Sequence, residues 1–364
     1  MQFYRRTTRL IAHWRDGQLA VHPYLRGRAY ATNLEVIKVL DFFSKWSTVD
    51  EFFQATVMGR RKGARPLLKK LVSAGLLEAS KAPLAQKATV WDRWGDAAAF
   101  LHFSTRNRVF ESALETRRRV AAGATATPAP AFTKTYPLRP RILLPKVSLK
   151  SRFDHVLQER RTWRQFGTAA PTLRDVGAVL GHTFGMQRLL NLGPYGHVML
   201  RSSPSGGARH PTEAYVLVRS VSGVPPGAYY YSPTDHELVR ISSKRFSQRD
   251  FTRLLAGQSW YRSASVLVCM ASVFERTAWV YESPRAYKSL LLEAGHFCQT
   301  LCLAATARGL APFCTGAFSA TEIESYLGLD PVDESVMYVG GFGTRPPGKR
   351  WAPLSADEEI MARG

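Results

Sequence analysis

The first 80 residues alternate short apolar runs with turn residues and then with helical faces. The dipeptide Asp16–Gly17 separates two apolar runs, which is typical of a β-hairpin. Apolar residues then recur at helical spacing over Asn33–Lys45, and Asn33 is a suitable N-cap. Two further short helices are predicted, one after Thr48 and one over Pro66–Gly75. A hairpin, three helices and a terminal strand predict a small winged-helix module over residues 1–82.

The rest of the chain divides into a connecting segment and a larger domain. Residues 83–147 begin with an aromatic and alanine-rich helical pattern, and their last part, 120–147, is rich in alanine, proline and threonine, which predicts an extended linker. Residues 148–364 alternate helical faces with buried strand patterns and antiparallel hairpins, so the predicted fold class is α+β. The main elements expected there are helices over 172–180 and 285–309, strands over 214–218, 264–272 and 336–341, and a hairpin around Asp235.

The positive charge lies mainly in the N-terminal part. The chain has 50 lysines and arginines against 28 aspartates and glutamates, a formal net charge of +22. Residues 1–150 contain 27 basic and 10 acidic side chains, an excess of 17, whereas residues 151–364 contain 23 and 18, an excess of 5. A field concentrated in one part predicts an acidic partner for that part. An arginine-rich composition without any binding role is the alternative.

The cysteines and the apolar runs bear on metal binding and location. Cys269, Cys298, Cys302 and Cys314 form no CxxC pair, and two of them lie in an apolar helical pattern. Core thiols are therefore predicted, and no metal site is. Reduced thiols together with the lack of a signal-peptide pattern predict a cytoplasmic protein. The sequence has no run of 18 uncharged apolar residues, so no membrane span is predicted.

Two short motifs have the chemistry of a site for a phosphate and a flat ligand. The sequence RRTWRQF, residues 160–166, places three arginines and a threonine within five positions, and arginine forks bind phosphate oxygens in pairs. A solvated basic turn is the alternative. The sequence SPSGGARHP, residues 203–211, precedes a strand, and its glycines allow the backbone to approach a flat ligand. A purely structural turn is again the alternative. The sequence contains neither a Walker loop nor a GxGxxG dinucleotide motif.

A third motif covers the long predicted helix and the segment after it. Residues 287–318 carry Glu293 and His296 near one helix face and reach Gly316 after the helix ends. One glutamate and one histidine are too few ligands for a metal site. We therefore expect His296 to be a packed, hydrogen-bonded residue.

In their order and spacing, the three motifs resemble the SagB-type dehydrogenases, which are FMN-dependent oxidases of thiazole and oxazole peptide biosynthesis in the nitroreductase superfamily. The resemblance covers residues 148–345, and the N-terminal module resembles the winged-helix elements that hold a leader peptide in such pathways. It implies a nitroreductase-like sandwich that forms a homodimer with FMN between the subunits. The cofactor-binding residues that it implies are Arg160, Arg161, Thr162 and Arg164 for the phosphate and ribityl chain, Ser205, Gly206 and Gly207 at the ring, Gly316 near the flavin, and Arg345 as a further phosphate ligand.

The chain departs from the family pattern at the catalytic position. Azole-forming members carry a Lys–Tyr pair before the long helix; here Tyr281 matches the tyrosine, and Val280 stands in place of the lysine. His210 also replaces the usual aromatic or aliphatic residue after the glycine-rich loop. Tyr281 is the candidate acid or base, but a phenol with a pKa of about 10 needs a nearby cation to act as a base at neutral pH. The candidates for that cation are Arg276, Arg285 and Lys288. Otherwise Tyr281 only orients the substrate or packs.

Several functions remain open at this point. The first is the two-electron oxidation of azoline to azole in a ribosomally made peptide. The second, which follows from Val280, is another flavin-dependent oxidation of a peptide residue, either dehydrogenation or aromatic hydroxylation. The third is nucleic-acid binding by the winged helix, which the basic run Gly59–Arg65 favours. A plain NAD(P)H-dependent nitroreductase is the fourth, but the additional N-terminal part argues against it. The expected partners are a second copy of the chain, a peptide with an acidic leader or carrier segment, and other biosynthetic enzymes.

Overall fold

The chain forms two compact units. The computed structural model describes residues 1–26, 28–56, 63–85, 88–106, 113–124, 151–192 and 196–348. Within these ranges, the first unit comprises residues 1–107 and 280–287, and the second comprises residues 108–279 and 288–364. Each unit has β-sheets and an apolar core of its own.

The first unit is built from short strands and helices. Its described elements are β1 (Phe3–Arg6), β2 (Leu10–Arg15), β3 (Gln18–Pro23), β4 (Tyr30–Ala31), α1 (Leu34–Phe42), β5 (Ser47–Thr48), α2 (Val49–Ala55), α3 (Ala64–Ser73), β6 (Leu77–Ser80) and α4 (Val90–Thr105). Strand β1 pairs antiparallel with β5 on one side and β6 on the other, and β2, β3 and β4 form a second antiparallel sheet. The helices α1 to α3 close an apolar core that includes Phe43, Phe52 and Leu68.

Local sequence signals explain where these elements begin. The predicted turn Asp16–Gly17 joins β2 to β3, and its residues have φ values of 51° and 76°, as a tight hairpin turn requires. Asn33 caps α1 by accepting a hydrogen bond from the Val36 N–H at 3.0 Å. Thr48 and Glu51 form a reciprocal capping box at α2. The hairpin and both caps are thus confirmed, while the winged-helix assignment of the module stays a prediction.

The predicted connecting segment is described only in part. Helix α5 (Ala113–Ala124) includes residues 120–124, for which extended backbone was expected. That expectation was wrong because alanine, which dominates these positions, has the highest helix propensity of the amino acids. Residues 125–150, with most of the predicted linker, lie outside the described residues.

The second unit is organised around a six-stranded antiparallel sheet. From residue 152 onward the described elements are α6 (Arg152–Glu159), α7 (Leu173–Phe184), β7 (Arg188–Asn191), β8 (His197–Leu200), β9 (Thr212–Val218), β10 (Gly227–Ser232), β11 (Glu237–Ser242), α8 (Gln248–Leu254), β12 (Val266–Val273), α9 (Phe274–Ala278), α10 (Ala286–Ala307), β13 (Leu310–Thr315), α11 (Ala320–Leu327) and β14 (Glu334–Thr344). The strand order in the large sheet is β11-β10-β9-β12-β14-β13, and β7 and β8 form a separate ribbon.

Helices cover both faces of the large sheet. Successive residues of a strand point to opposite faces. Val216 of β9 and Val268 of β12 therefore pack in the cluster that contains residues of α7 and α10. Their neighbours Leu217 and Leu267 pack in the cluster that contains residues of α8 and α11. The result is the predicted α+β sandwich, in which the central strands are buried on both sides.

The sequence did not predict strand β13, the β7–β8 ribbon or the short helices α8, α9 and α11. β13 is an edge strand and contains Pro312. A proline has no N–H to donate to a sheet ladder, so it is tolerated at an edge but argues against a central strand. Because of this proline, the sequence pattern did not indicate the strand that directly follows the long helix.

Helix α10 passes a simple test for a membrane span. By length and composition it is the one helix of the described residues that is long and apolar enough to cross a membrane. Half of the relevant window, 50%, is buried inside the fold. The core helix of a folded domain has the same properties.

Two of the four cysteines form a disulfide, which corrects the prediction of four free thiols. Cys298 of α10 is bonded to Cys314 of β13, and their Cα atoms are 6.5 Å apart. The pairing follows from the packing of α10 against the sheet. No local sequence pattern predicts that packing. Cys269 and Cys302 are free and buried, as predicted. The argument for a cytoplasmic location from reduced thiols does not extend to the bonded pair.

Candidate functional site

The turn 160–166 follows α6 and is fixed by its two aromatic residues. Trp163 is buried, and its backbone N–H donates to the carbonyl of Pro312 in β13 at 2.9 Å. Phe166 packs edge-on against Phe313, with ring centroids 5.8 Å apart. Because the aromatic side chains occupy the space against the edge strand, the arginines of the turn stay at least partly exposed.

Two arginines lie near the start of β13. Arg345 stacks over the ring of Trp163, 5.4 Å from its centroid, and its Nε donates to the carbonyl of Leu310 at 3.1 Å. Burial raises the pKa of the Cys302 thiol to about 12, and Arg160 is close enough to oppose that rise as a cation. The Nη2 of Arg345 lies 3.5 Å from the Thr306 carbonyl in the last turn of α10, and the turn that carries Arg160 is hydrogen-bonded to the adjoining strand β13 through Trp163.

The other predicted phosphate ligands have different surroundings. Thr162 and Arg164 are half-buried in the same turn. Arg161 is exposed, and its Nη1 donates to two backbone carbonyls of its own segment at 2.9 and 2.8 Å. Arg160 and Arg345 thus lie at the same end of the sheet, near the start of β13. The Arg161 side chain instead contacts the backbone of its own segment.

The glycine-rich loop lies along one face of α10. The hydroxyl groups of Ser203 and Thr300 are 2.7 Å apart. The ring of His296 lies 3.2 Å from the carbonyl of Pro204. His296 is therefore hydrogen-bonded to the loop, as expected, but its side chain is exposed and not packed in the core. Among the residues described, no group of three or more His, Cys, Asp or Glu side chains is arranged to hold a metal ion.

The backbone of this loop is strained. Gly207, Ala208 and His210 have φ values of 60°, 54° and 41°. The left-handed region is easy for glycine but costs about 1–2 kcal/mol for each of the other two residues. The hydroxyl of Ser205 holds the turn by accepting from the His210 N–H at 2.9 Å. Gly206 and its neighbour Gly207 remain exposed. Strain of this kind is often found at binding sites, where surrounding contacts stabilise it.

Charged side chains are buried next to the loop. Glu213 of β9 forms an ion pair with Arg276 and accepts a hydrogen bond from the Tyr230 hydroxyl at 3.1 Å. Arg201 is also buried and donates to the carbonyl of Thr212 at 3.1 Å. Sequence reasoning missed this cluster, except for naming Arg276 as one candidate cation. The signal that could have revealed it is a carboxylate in the otherwise apolar β9, because a buried charge needs a partner.

His210 is a neutral ring among cations. Its side chain is buried, and burial, together with Arg201 and Arg276, lowers its pKa to about 4. The ring donates to the backbone carbonyl of Met199. The Nδ1 of His210 and the Nε of Arg201 are both buried and make no hydrogen bond to any described residue. Buried polar atoms without a partner are rare in folded proteins and mark this cluster as unusual.

Gly316 lies at the opposite end of β13 from the arginines. It follows Thr315, the last residue of the strand, and an added Cβ would lie 3.8 Å from the ring of Tyr338. The five residue steps from Leu310 to Thr315 correspond to about 17 Å of extended chain. Arg345 and Gly316 therefore mark the two ends of one edge strand.

The loop and the arginines contact different faces of α10. The loop contacts His296 and Thr300, whereas the two arginines lie near Cys302 and the Thr306 carbonyl. At about 100° per residue, the second pair of positions is centred roughly 120° further round the helix axis. Leu292 lies between the two sectors and is 64% exposed. Within one chain, therefore, the glycine-rich loop and the arginine turn do not share a helix face.

Tyr281 belongs to the first unit. Its side chain is exposed, and its backbone carbonyl accepts a hydrogen bond from the indole N–H of Trp94 at 2.9 Å. Val280 precedes it, so the expected lysine has no counterpart at that position. The catalytic role of Tyr281 stays a prediction.

One sizeable cavity lies away from all of these residues. It has a volume of about 550 Å³ and lies between α7 and the β10–β11 hairpin. Its lining is mainly apolar, and none of the predicted site residues takes part in it. Size alone therefore does not identify the functional site.

Several known proteins are similar to about half of this chain. The protein MJ1384 of Methanocaldococcus jannaschii, which is named as a nitroreductase, is 31% identical over 199 residues, covering 55% of this chain and 95% of that protein. The trifolitoxin-processing protein TfxB of Rhizobium leguminosarum bv. trifolii is 31% identical over 169 residues, covering 46% of this chain and 45% of TfxB. A crystal structure of an Anabaena variabilis protein, also named as a nitroreductase, matches with a TM-score of 0.44 and 28% identity over 53% of this chain and 38% of that one. The chain thus spans less than half of the last two proteins.

The family match covers the candidate site except for Arg345. The profile of the Nitroreductase family matches residues 157–344, which extend from the end of α6 to the end of β14. This range includes the arginine turn, the glycine-rich loop and Gly316. It makes up just over half of the chain. The chain belongs to the nitroreductase family.

Proposed function

We propose that this chain is an FMN-dependent oxidoreductase that modifies a peptide. Members of its family are generally FMN-dependent oxidoreductases. The observation that carries the proposal is the layout of β13. Arg160 and Arg345 can neutralise a phosphate near the start of the strand, and Gly316 leaves room for a flat ring at its end. When bound, FMN supplies two-electron redox chemistry.

Individual residues have distinct proposed roles in holding the cofactor. Arg160 and Arg164 bind the phosphate, and Thr162 contributes a hydroxyl. Arg345 is held in place by Trp163 and supplies a further positive charge. Arg161 joins this group only if its side chain leaves the backbone carbonyls that it now contacts.

The proposed cofactor site is completed by a second copy of the chain. The supporting observation is that the loop with Ser205, Gly206 and Gly207 lies on another face of α10 than the arginine turn. The exposed Leu292 and Gln299 lie between those faces. If two copies pack across this stripe, the loop of one copy can reach the flavin that is held by the other. We therefore propose a homodimer with FMN between its subunits.

The proposed substrate is a ribosomally made peptide with an acidic leader or carrier segment. TfxB, to which about half of this chain is similar, is named as a trifolitoxin-processing protein. The excess of 17 positive charges in residues 1–150 supports an acidic partner for the N-terminal part. Other enzymes that act on the same peptide are the corresponding proposed partners.

The proposed reaction is the oxidation of azoline to azole. This reaction removes the acidic α-proton and, from the neighbouring carbon, a hydride with its two electrons, which FMN would accept when bound. Tyr281 is the proposed group for the proton, and it needs a neighbouring cation for this role. Since Val280 replaces the lysine, another flavin-dependent oxidation of a peptide residue is the second candidate.

Nucleic-acid binding is a further candidate function, and it belongs to a different class from the enzymatic candidates. It depends on the same positive charge and on the run Gly59–Arg65, of which only the last three residues are described. Fluorescence anisotropy with an acidic peptide and with duplex DNA separates the two roles. Tight peptide binding supports the peptide role, whereas DNA binding that weakens steeply with salt supports the other.

The visible spectrum of the purified chain tests the cofactor proposal. We expect flavin absorption bands, and denaturation should release free FMN. Size-exclusion chromatography with light scattering should give the mass of two chains. A colourless protein that takes up no added FMN would contradict the proposal, and a monomer with full flavin content would contradict the shared site.

A further inference from the structure

A second cavity lies beside the glycine-rich loop and has no role in the function proposed so far. Its volume is about 350 Å³, which is at the small end of the range for ligand sites and suits a group the size of one amino acid. Its polar lining consists of His197, Arg209, His210, Thr234 and Arg276. None of the described residues that line it is acidic.

The two arginines of this cavity are held in place. Arg276 forms its ion pair with Glu213, and its Nη1 also donates to the carbonyl of His210 at 3.1 Å. The Nε of Arg209 donates to the carbonyl of Arg276 at 3.3 Å, and its guanidinium stacks 5.0 Å from the ring centroid of Trp279. Fixed guanidinium groups bind an anion with little loss of side-chain entropy.

The charged groups behind the cavity are of both signs. The buried Arg201 adds a third guanidinium to those of Arg209 and Arg276. The carboxyl groups nearby are those of Glu213, Glu293 and Glu334. None of these carboxyl groups lines the cavity, whereas Arg209 and Arg276 do. An anionic guest in the cavity would therefore meet positive side chains directly.

The cavity is adjacent to the proposed flavin loop. Ala208 and His210, which line it, directly continue the segment 205–207. A group bound there would be held only a few residues from the loop that we place at the flavin ring. The hydrogen bond from the His210 N–H to the Ser205 hydroxyl, 2.9 Å long, ties the two parts of this segment together.

We propose that this cavity binds a carboxylate of the peptide substrate and thereby orients the peptide beside the reaction centre. The identity of the ligand as a peptide rests on the proposed function, whereas carboxylate binding itself does not. The carboxylate comes either from the C-terminus or from an Asp or Glu side chain. Both sources present the same planar pair of oxygens to the arginine forks.

Calorimetric titration of the full-length chain tests this inference. The probes are N-acetylglycine for a terminal carboxylate, N-acetylglutamate α-amide for a side-chain carboxylate, and N-acetylglutamine amide as the neutral isostere. We expect at least one carboxylate to bind measurably tighter than the neutral probe. The tighter of the two identifies the source. Equal binding of all three probes would overturn the proposal.

Substitutions then locate the binding. Arg209→Gln is expected to weaken carboxylate binding about tenfold or more, because a charge-assisted hydrogen bond is lost, and Arg209→Lys should lose less. The control is Arg174→Gln, an exposed arginine of α7 at the other cavity, which should leave the affinity unchanged. Equal losses in the variant and the control would overturn the assignment.

A second variant guards against effects on folding. Arg276→Gln combined with Glu213→Gln removes a cation of the cavity without leaving a buried charge unpaired. It should also weaken carboxylate binding, and unchanged affinity would contradict the proposal. The flavin content of each variant is read from its absorbance. A chain that holds FMN but fails to distinguish the probes refutes this inference alone, whereas a chain that binds carboxylates without FMN refutes only the proposed function.

Discussion

Replacing Arg276 with methionine is expected to destabilise the second unit by about 2–3 kcal/mol. Breaking a buried ion pair costs about 3–5 kcal/mol, since the remaining charge is left without a partner. Here the Glu213 side chain is 6% exposed, but that of Arg276 is 37% exposed, so solvent already weakens the pair. The Tyr230 hydroxyl would continue to donate to the carboxylate. Both features place the expected loss below the usual range.

Urea denaturation at neutral pH measures this loss. Because the chain has two units, tryptophan fluorescence and circular dichroism should be followed together, so that separate transitions are detected. The matched control is the double variant Arg276→Met with Glu213→Gln, in which the carboxylate that pairs with Arg276 is removed as well. It should lose only about 1 kcal/mol relative to the unmodified chain.

The comparison between the single and the double variant shows whether the loss of stability comes from an unpaired charge or from packing. If both lose the same free energy of unfolding, the cost is one of packing and not of an unpaired charge. If the single variant loses less than about 0.5 kcal/mol, Glu213 does not depend on Arg276 at all. Either result would refute the electrostatic reasoning.

Four further predictions concern the cofactor, the reaction, pH and packing. Arg160→Ala combined with Arg164→Ala should weaken FMN binding by on the order of a hundredfold, as measured by flavin fluorescence; full flavin occupancy would refute the phosphate assignment. Tyr281→Phe should slow peptide oxidation by about a hundredfold with flavin retained, and unchanged turnover would remove it from the mechanism. The pKa of His210, lowered to about 4 by burial and by neighbouring arginines, means that the folded state favours the neutral ring. The stabilisation from the neutral ring is therefore complete above about pH 6.5 and is lost as the pH falls towards 4. Over this range the free energy of unfolding should fall by at most about 1.4 kcal/mol per pH unit, and His210→Gln should make that fall smaller in urea denaturation at a series of pH values. Gly341→Ala should destabilise the chain by about 1–3 kcal/mol, because the new Cβ would lie 2.6 Å from a carbonyl oxygen of β12, and a midpoint in urea equal to that of the unmodified chain would contradict this.

Elements set by neighbouring residues could be predicted from the sequence, and elements set by distant contacts could not. The hairpin at Asp16–Gly17 and the caps at Asn33 and Thr48 depend on hydrogen bonds within a few residues. Strand β13 depends on its pairing with β14, and its proline argues against a strand when the sequence is considered alone. The bond between Cys298 and Cys314 likewise needs the helix and the strand to be packed first.

The same distinction applies to the candidate site. The motifs around Arg160, Gly206 and Gly316 could be identified in the sequence because each is a compact pattern. Their distribution over two faces of α10 could not, since it depends on which helix each segment contacts. The ion pair between Glu213 and Arg276 joins the start of β9 to the short helix α9, and no sequence pattern links the two, so only the folded chain reveals it.

The two faces of α10 have a genetic consequence. In the proposed dimer, a defect in the arginine turn and a defect in the glycine-rich loop affect different halves of each active centre. A subunit with one defect, paired with a subunit carrying the other, would assemble one intact centre and one doubly damaged centre. Two inactive alleles of this protein would therefore complement each other when expressed in the same cell.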